Sequence, residues 1–151
     1  MIEGIRHELP DLAAMERFGA AISRHLRPGD VVALEGGLGA GKTTLARAII
    51  AALGYEAEVP SPTFTIIETY DSPPLRLPVV HADFYRLEDP SEIEEIGLED
   101  YREGAALIAE WPDHAGGFDD EPACLSIALE TANAGRIAIA RGGADWLGRM
   151  P

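Results

Sequence analysis

The chain has 151 residues, 46% of them apolar, with 26 acidic against 12 basic side chains and a formal charge of −14. That size suits a single domain with a real hydrophobic core. The acid excess excludes a broad nucleic-acid face, which needs clustered basic side chains to displace counterions, and no apolar run approaches the roughly 18 residues of a membrane helix.

In chain order, the acids Glu3, Glu8, Asp11 and Glu16 interrupt any N-terminal targeting pattern, so a cytoplasmic setting is expected. Leu12, Met15, Phe18, Ile22 and Leu26 recur at three- and four-residue steps, which predicts an amphipathic helix over 11–26, capped by Asp11 and ended by Pro28-Gly29-Asp30. Val31 to Glu35 reads as a buried strand. It leads into Gly36-Gly37-Leu38-Gly39-Ala40-Gly41-Lys42-Thr43-Thr44, which fits the pattern Gly-x4-Gly-Lys-[Ser/Thr] of a phosphate-binding loop. Glycines let consecutive backbone N–H groups turn inward on a phosphate, and a helix starting there aims the positive end of its dipole at the same oxygens. Lys42 adds a point charge near the β and γ phosphates, and the Thr43 hydroxyl is placed to reach Mg²⁺.

Thr44 to Leu53 is the helix leading out, stopped by Gly54, and Pro60-Ser61-Pro62 is an exposed connection. Thr63–Tyr70 and Leu77–Asp83 are expected strands around an Asp71–Pro74 turn. Ser91 to Glu94 matches a capping box for a short helix breaking near Gly97, and Leu98–Glu103 is a second short helix. Ala105–Glu110 is a buried strand and Asp113–Pro122 a loop. Cys124–Thr131 and Arg136–Ala140 alternate as two strands joined through Ala132-Asn133-Ala134-Gly135. The fold class is therefore α/β, a mainly parallel sheet flanked by helices, with a C-terminal β-hairpin. Cys124, the only cysteine, sits in a strand pattern and reads as a small core residue.

Hydrolysis of ATP needs metal ligands and a group that orients water. Two apolar strands end in acid, at Asp83 and Glu110, and in an open α/β sheet both would emerge beside the phosphate loop if the strands run parallel. Asp83 is then the carboxylate that serves Mg²⁺ directly or through its water, the alternative being a turn cap or a partner of Arg86. Glu110 positions water or supports the metal, the alternative being a structural carboxylate. The chain holds no glutamine, Asn133 is its sole asparagine and Lys42 its sole lysine. Neither a water-orienting Gln nor a guanine-reading Asn-Lys-x-Asp motif is available, which favours adenine over guanine. His81 shares a strand face with Asp83 and is either a packed histidine or a support for the site. Trp111 either stacks on the nucleotide or packs. The acidic run from Glu88 to Glu103 is a solvated face or, alternatively, a docking surface.

Together, Gly36–Thr44, Ser61-Pro62-Thr63-Phe64-Thr65, His81-Ala82-Asp83-Phe84-Tyr85-Arg86-Leu87 and Glu110-Trp111-Pro112 resemble the bacterial TsaE (YjeE) ATPases of tRNA threonylcarbamoyladenosine biosynthesis. The resemblance implies a compact P-loop NTPase-type fold, weak ATP hydrolysis by the protein alone, and action with a TsaB–TsaD pair through which any tRNA contact would run. It assigns Lys42 and Thr43 to phosphate and Mg²⁺, Asp83 to the metal, Glu110 to hydrolysis, and Thr65 to a switch-like loop beside the γ-phosphate. Gly37 departs from the family pattern, which usually has Asp there. The competing readings are a small-molecule kinase, which would need a lid with arginines such as Arg86 or Arg102, and a nucleotide-gated binding protein with incidental hydrolysis.

Overall fold

A computed structural model describes residues 2–57 and 67–151, with side chains described from Gly4 onward within them. The Ser61–Thr65 segment, Thr65 included, and the first part of the expected 63–70 strand lie outside the described residues. Chain order is β1 (Ile2–Leu9), α1 (Leu12–His25), β2 (Val31–Glu35), α2 (Lys42–Ala52), β3 (Ile67–Tyr70), β4 (Val79–Asp83), α3 (Glu92–Ile96), α4 (Leu98–Arg102), β5 (Ala106–Glu110), β6 (Cys124–Ala132) and β7 (Gly135–Gly142), with 3-10 turns at Pro112–Ala115 and Ala144–Trp146.

The strands form one sheet in the order β1-β7-β6-β2-β5-β4-β3. β2 pairs parallel with both β5 and β6, and β5 parallel with β4. Antiparallel pairs close the sheet on each side, β3 on β4 and the β6–β7 hairpin followed by β1. The mainly parallel sheet and the C-terminal hairpin read from the sequence are both present.

Alternation along the strands explains why their cores read as continuous apolar runs. Val32, Leu34, Val79 and Ile108 face α1 and α2, whereas Val31, Ala33, Val80, Ala82, Leu107 and Ala109 face the layer of Leu98, Phe84, Leu87 and Phe118. A strand covered on both faces has no polar side to display. The helices of the first layer cross closely at Gly19, where a Cβ would lie 2.6 Å from the Ala48 Cβ. A glycine inside a helix ordinarily weakens it, but here any larger residue would force the two helices apart.

Several boundaries differ from the sequence reading, and each has a local cause. α2 begins at Lys42, two residues before the expected Thr44, because Gly41 at φ +105° already serves as its N-cap. β4 starts at Val79, after Pro78, which has no N–H to give to a ladder but accepts from Ala106 N–H through its carbonyl at 3.0 Å. The capping box at Ser91 does not form: Ser91 is itself helical in conformation and caps nothing with its side chain. Its N–H donates to Asp89 Oδ1 instead, and Glu92 reaches back to Glu88 N–H. The Asp11 cap is present, with Oδ1 accepting from Ala14 N–H at 2.8 Å.

β1 is an element the sequence reading leaves unassigned. Its second half alternates, with Leu9 buried in the core and the His7 ring packed at a tilt against Phe18, centroids 4.7 Å apart, while Arg6 and Glu8 pair weakly in solvent. Burial lowers the His7 pKa, and its Nε2 has no hydrogen-bond partner among the described residues. A histidine depressed in the folded state leaves the unfolded chain holding more protons, so its contribution to stability is complete above about pH 6.5 and is lost as pH falls through the lower native value. Urea titrations between pH 7.5 and pH 5 are expected to show a smaller loss of stability in His7→Phe than in the parent chain, and parallel losses would contradict this.

Candidate nucleotide and metal site

The phosphate loop takes its shape from two glycines that no other residue could replace. Gly36 has φ +142°, and a Cβ there would lie 2.5 Å from the Leu129 carbonyl oxygen; Gly41, in the left-handed region, turns the chain into α2. Gly37 is different. A Cβ at this position would meet no atom of the described residues within 4 Å, and its φ lies outside the left-handed range, so the surrounding backbone does not exclude an aspartate.

At the start of α2 the first intrahelical donor is Leu45 N–H, bonded to Gly41 O at 2.9 Å. The N–H groups before it face the loop without an acidic side chain in the first turn to neutralise them. Lys42 is buried, and its Nζ donates to Gly36 O at 2.8 Å and Gly37 O at 2.7 Å, while it lies 4.2 Å from the centre of the Trp111 ring. Burial pushes its pKa down, and the Glu110 and Asp83 carboxylates pull in the opposite direction.

Parallel pairing brings the acidic strand ends to this loop. Asp83 is in register with Glu110, and Glu110 with Leu34 near the end of β2. The bonds continue just past the strands, Phe84 N–H to Glu110 O at 3.0 Å and Trp111 N–H to Leu34 O at 3.3 Å, which fixes where the two carboxylates start. Asp83, Glu110, Lys42, Thr43, Thr44, Gly39, Leu38 and Trp111 line one open hollow of about 320 Å³. Burial raises the Asp83 pKa, opposed by the Tyr85 N–H that donates to its Oδ1 at 3.0 Å and reinforced by the Glu110 charge. No ion pair joins Asp83 to Arg86 among the described residues.

Glu110 is almost fully buried and each of its oxygens is engaged. Oε1 accepts from the Thr43 hydroxyl at 2.7 Å, and Oε2 lies 2.6 Å from His81 Nε2, a ring that is wholly buried. Among the described residues no three His, Cys, Asp or Glu side chains gather into a self-sufficient metal cluster. The oxygen donors present, a hydroxyl and two carboxylates, nevertheless fit Mg²⁺, which is ordinarily held by one or two carboxylates together with water and substrate phosphates.

Two features of the site escape the sequence reading. Arg136, at the start of β7, donates through Nε to Ala40 O and through Nη2 to Gly39 O, both at 3.1 Å, so the hairpin holds the outward-facing carbonyls of the phosphate loop. Tyr85, Trp111 and His114 form an aromatic group at the rim, with Tyr85 and Trp111 centroids 4.9 Å apart, and His114 Nδ1–H donates to Tyr85 O at 2.9 Å. Arg102, one of the arginines a kinase lid would require, instead pairs with Glu121 beside Gly29 and Gly104, at the opposite ends of β2 and β5. A second hollow of about 210 Å³ adjoins the loop, lined by Leu9, Asp11, Leu12, Met15, Gly41, Thr44 and Arg136.

Residues 9–138 match the family model described as threonylcarbamoyl adenosine biosynthesis protein TsaE. A Haemophilus influenzae protein named tRNA threonylcarbamoyladenosine biosynthesis protein TsaE is 35% identical over 123 residues, which cover 78% of this chain and 77% of that one. A Bacillus subtilis protein of the same name is 48% identical over 86 residues, 56% of this chain and 52% of that one. The crystal structure of Bacillus subtilis YdiB superposes with a TM-score of 0.76 at 27% identity, covering 99% of this chain and 93% of that chain.

Proposed function

Because the chain belongs to the TsaE family, we propose that it binds and hydrolyses Mg–ATP and so supports tRNA threonylcarbamoyladenosine biosynthesis together with a TsaB–TsaD pair. The observation that carries the hydrolytic part is the Thr43–Glu110 hydrogen bond of 2.7 Å, which joins the phosphate loop to an acidic strand end. A carboxylate in contact with the hydroxyl that would hold the metal supports a role for Glu110 in orienting water beside the γ-phosphate.

In this reading the loop N–H groups and Lys42 hold the phosphates, and Thr43, Asp83 and Glu110 would hold Mg²⁺ directly or through water. The ion, when bound, neutralises charge developing on the transferred phosphoryl group. Glu110 orients the attacking water. The second hollow receives the base: Leu12 and Met15 offer apolar walls, and the Asp11 carboxylate can accept from an exocyclic amine of the base. Thr65 is proposed as a γ-phosphate contact and Trp111 as an aromatic neighbour of the phosphates. The net acid excess leaves tRNA to the partner proteins. Among the described residues no helix is long and apolar enough to cross a membrane; the cytoplasmic setting is part of the proposal.

Phosphate release measured with the TsaB–TsaD pair present tests the reading. Glu110→Gln is expected to lower turnover by about a hundredfold or more while ATP still binds, since orienting and deprotonating groups contribute on that scale. Undiminished turnover, or transfer of the γ-phosphoryl group to a metabolite acceptor, would overturn it. Arg136→Ala has a milder expected outcome: loss of two hydrogen bonds that brace the loop should weaken ATP binding about tenfold in calorimetry, with turnover at saturation little changed. Equal affinities would remove Arg136 from the site.

A further inference from the structure

The hydrogen bonds of Glu110 divide its carboxylate into a fixed oxygen and an exchangeable one, and we infer that His81 is the positioning residue that fixes it. His81 Nε2 lies 2.6 Å from Glu110 Oε2, both groups are buried, and the imidazole reaches no other polar partner among the described residues, its Nδ1 being unpaired. A buried ring is ordinarily expected to satisfy both nitrogens. Here one contact carries the whole polar role of the side chain, and that contact is to the carboxylate.

The backbone explains why the contact is rigid. His81 and Asp83 are two residues apart on β4, on the face toward α2, and β4 and β5 are locked in parallel register from Val79↔Ala106 to Asp83↔Glu110. The imidazole therefore reaches across one strand spacing to the side chain at the end of the neighbouring strand. A carboxylate oxygen accepts, so the bond at this distance is one that Nε2–H donates to Oε2. Oε1 differs: its partner is the Thr43 hydroxyl, which the proposed function calls on for Mg²⁺. Oε1 borders the hollow together with Thr43, so it can meet a water there while Oε2 stays tied to His81 and the carboxylate keeps its orientation.

The inference rests on the proposed function, and its test separates the two. His81→Leu removes the donor at similar bulk, and His81→Gln restores an amide N–H that can reach the carboxylate. Misplacing an orienting group by about 1 Å costs on the order of a hundredfold in rate. His81→Leu is accordingly expected to lower kcat by about thirty- to a hundredfold with KM for ATP within about threefold of the parent, and His81→Gln to recover most of the loss. Unchanged kcat in His81→Leu alongside an inactive Glu110→Gln would overturn the positioning role and spare the proposed function. A fully active Glu110→Gln would overturn both. Failure of His81→Gln to rescue a folded protein would also count against positioning.

A second readout needs neither nucleotide nor turnover. In the parent protein labelled with ¹⁵N-histidine, one ring, assigned by its loss in His81→Gln, is expected to carry a proton on Nε2 that is protected from exchange with solvent. An Nε2 without a proton, or an Nε2 proton exchanging as fast as that of an exposed histidine, would overturn the inference even if the variants failed to fold.

Discussion

Lys42→Ala is expected to weaken Mg–ATP binding by about a hundredfold or more. Two hydrogen bonds from an ammonium to phosphate oxygens, each worth about 1.5–3 kcal/mol, would be lost, and each 1.4 kcal/mol is about tenfold in affinity. The lower end applies, because in the free protein the ammonium is already bonded to the carbonyls of Gly36 and Gly37 and rests over Trp111. Binding exchanges those partners for phosphates rather than creating bonds from nothing. Calorimetry with the folded variant measures this, and a Kd within about threefold of the parent would remove Lys42 from the phosphate site.

The same residue gives a second, chemical reading. It is the only lysine in the chain, and burial lowers its pKa. More of it is the free amine at mildly alkaline pH than for an exposed lysine, and that amine borders an open hollow. An amine-directed reagent should label Lys42 and the N-terminus alone, with ATP protecting Lys42. Labelling insensitive to ATP would contradict a nucleotide in this hollow.

What the sequence disclosed and what it withheld divide along the range of the interactions. β2, the phosphate loop and α1 are specified by residues within a few positions of one another: a run of four buried apolar residues, a glycine spacing, a three-and-four periodicity with an aspartate cap. The meeting of Asp83 and Glu110 follows from a topological rule, and their observed register is that rule carried out at residue level. β1 pairs with β7 at the other end of the chain, so half of its alternating pattern gains meaning only from a distant partner. Arg136 reaches the loop across 96 residues and gives its hydrogen bonds to carbonyl oxygens, which every residue type supplies. Such a contact leaves no motif. His81 is an intermediate case: its shared face with Asp83 is a matter of strand periodicity, but its bond to Glu110 is not. At Ser91 local pattern misleads, because the box residues are present while the serine backbone is already helical.

Another long-range contact carries the second large expected effect. Arg149 Nη1 and Nη2 donate to Asp30 Oδ2 and Oδ1 at 2.8 and 3.0 Å, a bidentate pair formed across 119 residues, and Nη1 also donates to the carbonyl of His25 at the end of α1. The guanidinium lies 4.2 Å from the centre of the Trp146 ring, whose indole N–H donates to Ala123 O. Asp30 in turn accepts from Arg27 N–H and directly precedes β2, so the tail is tied to the strand that carries the phosphate loop. With both side chains less than a tenth exposed, removal of one strands the other: Arg149→Met is expected to cost about 3–5 kcal/mol in urea unfolding, because it leaves a buried carboxylate without its cation. Asp30→Leu alone should cost a similar amount. The double variant Asp30→Leu, Arg149→Met is expected to lose much less than the sum, since it leaves no uncompensated charge and adds apolar contacts beside Trp146. Strict additivity, or a loss below about 1 kcal/mol in Arg149→Met, would mean that solvent reaches the pair and that the tail is not what steadies the entrance to β2.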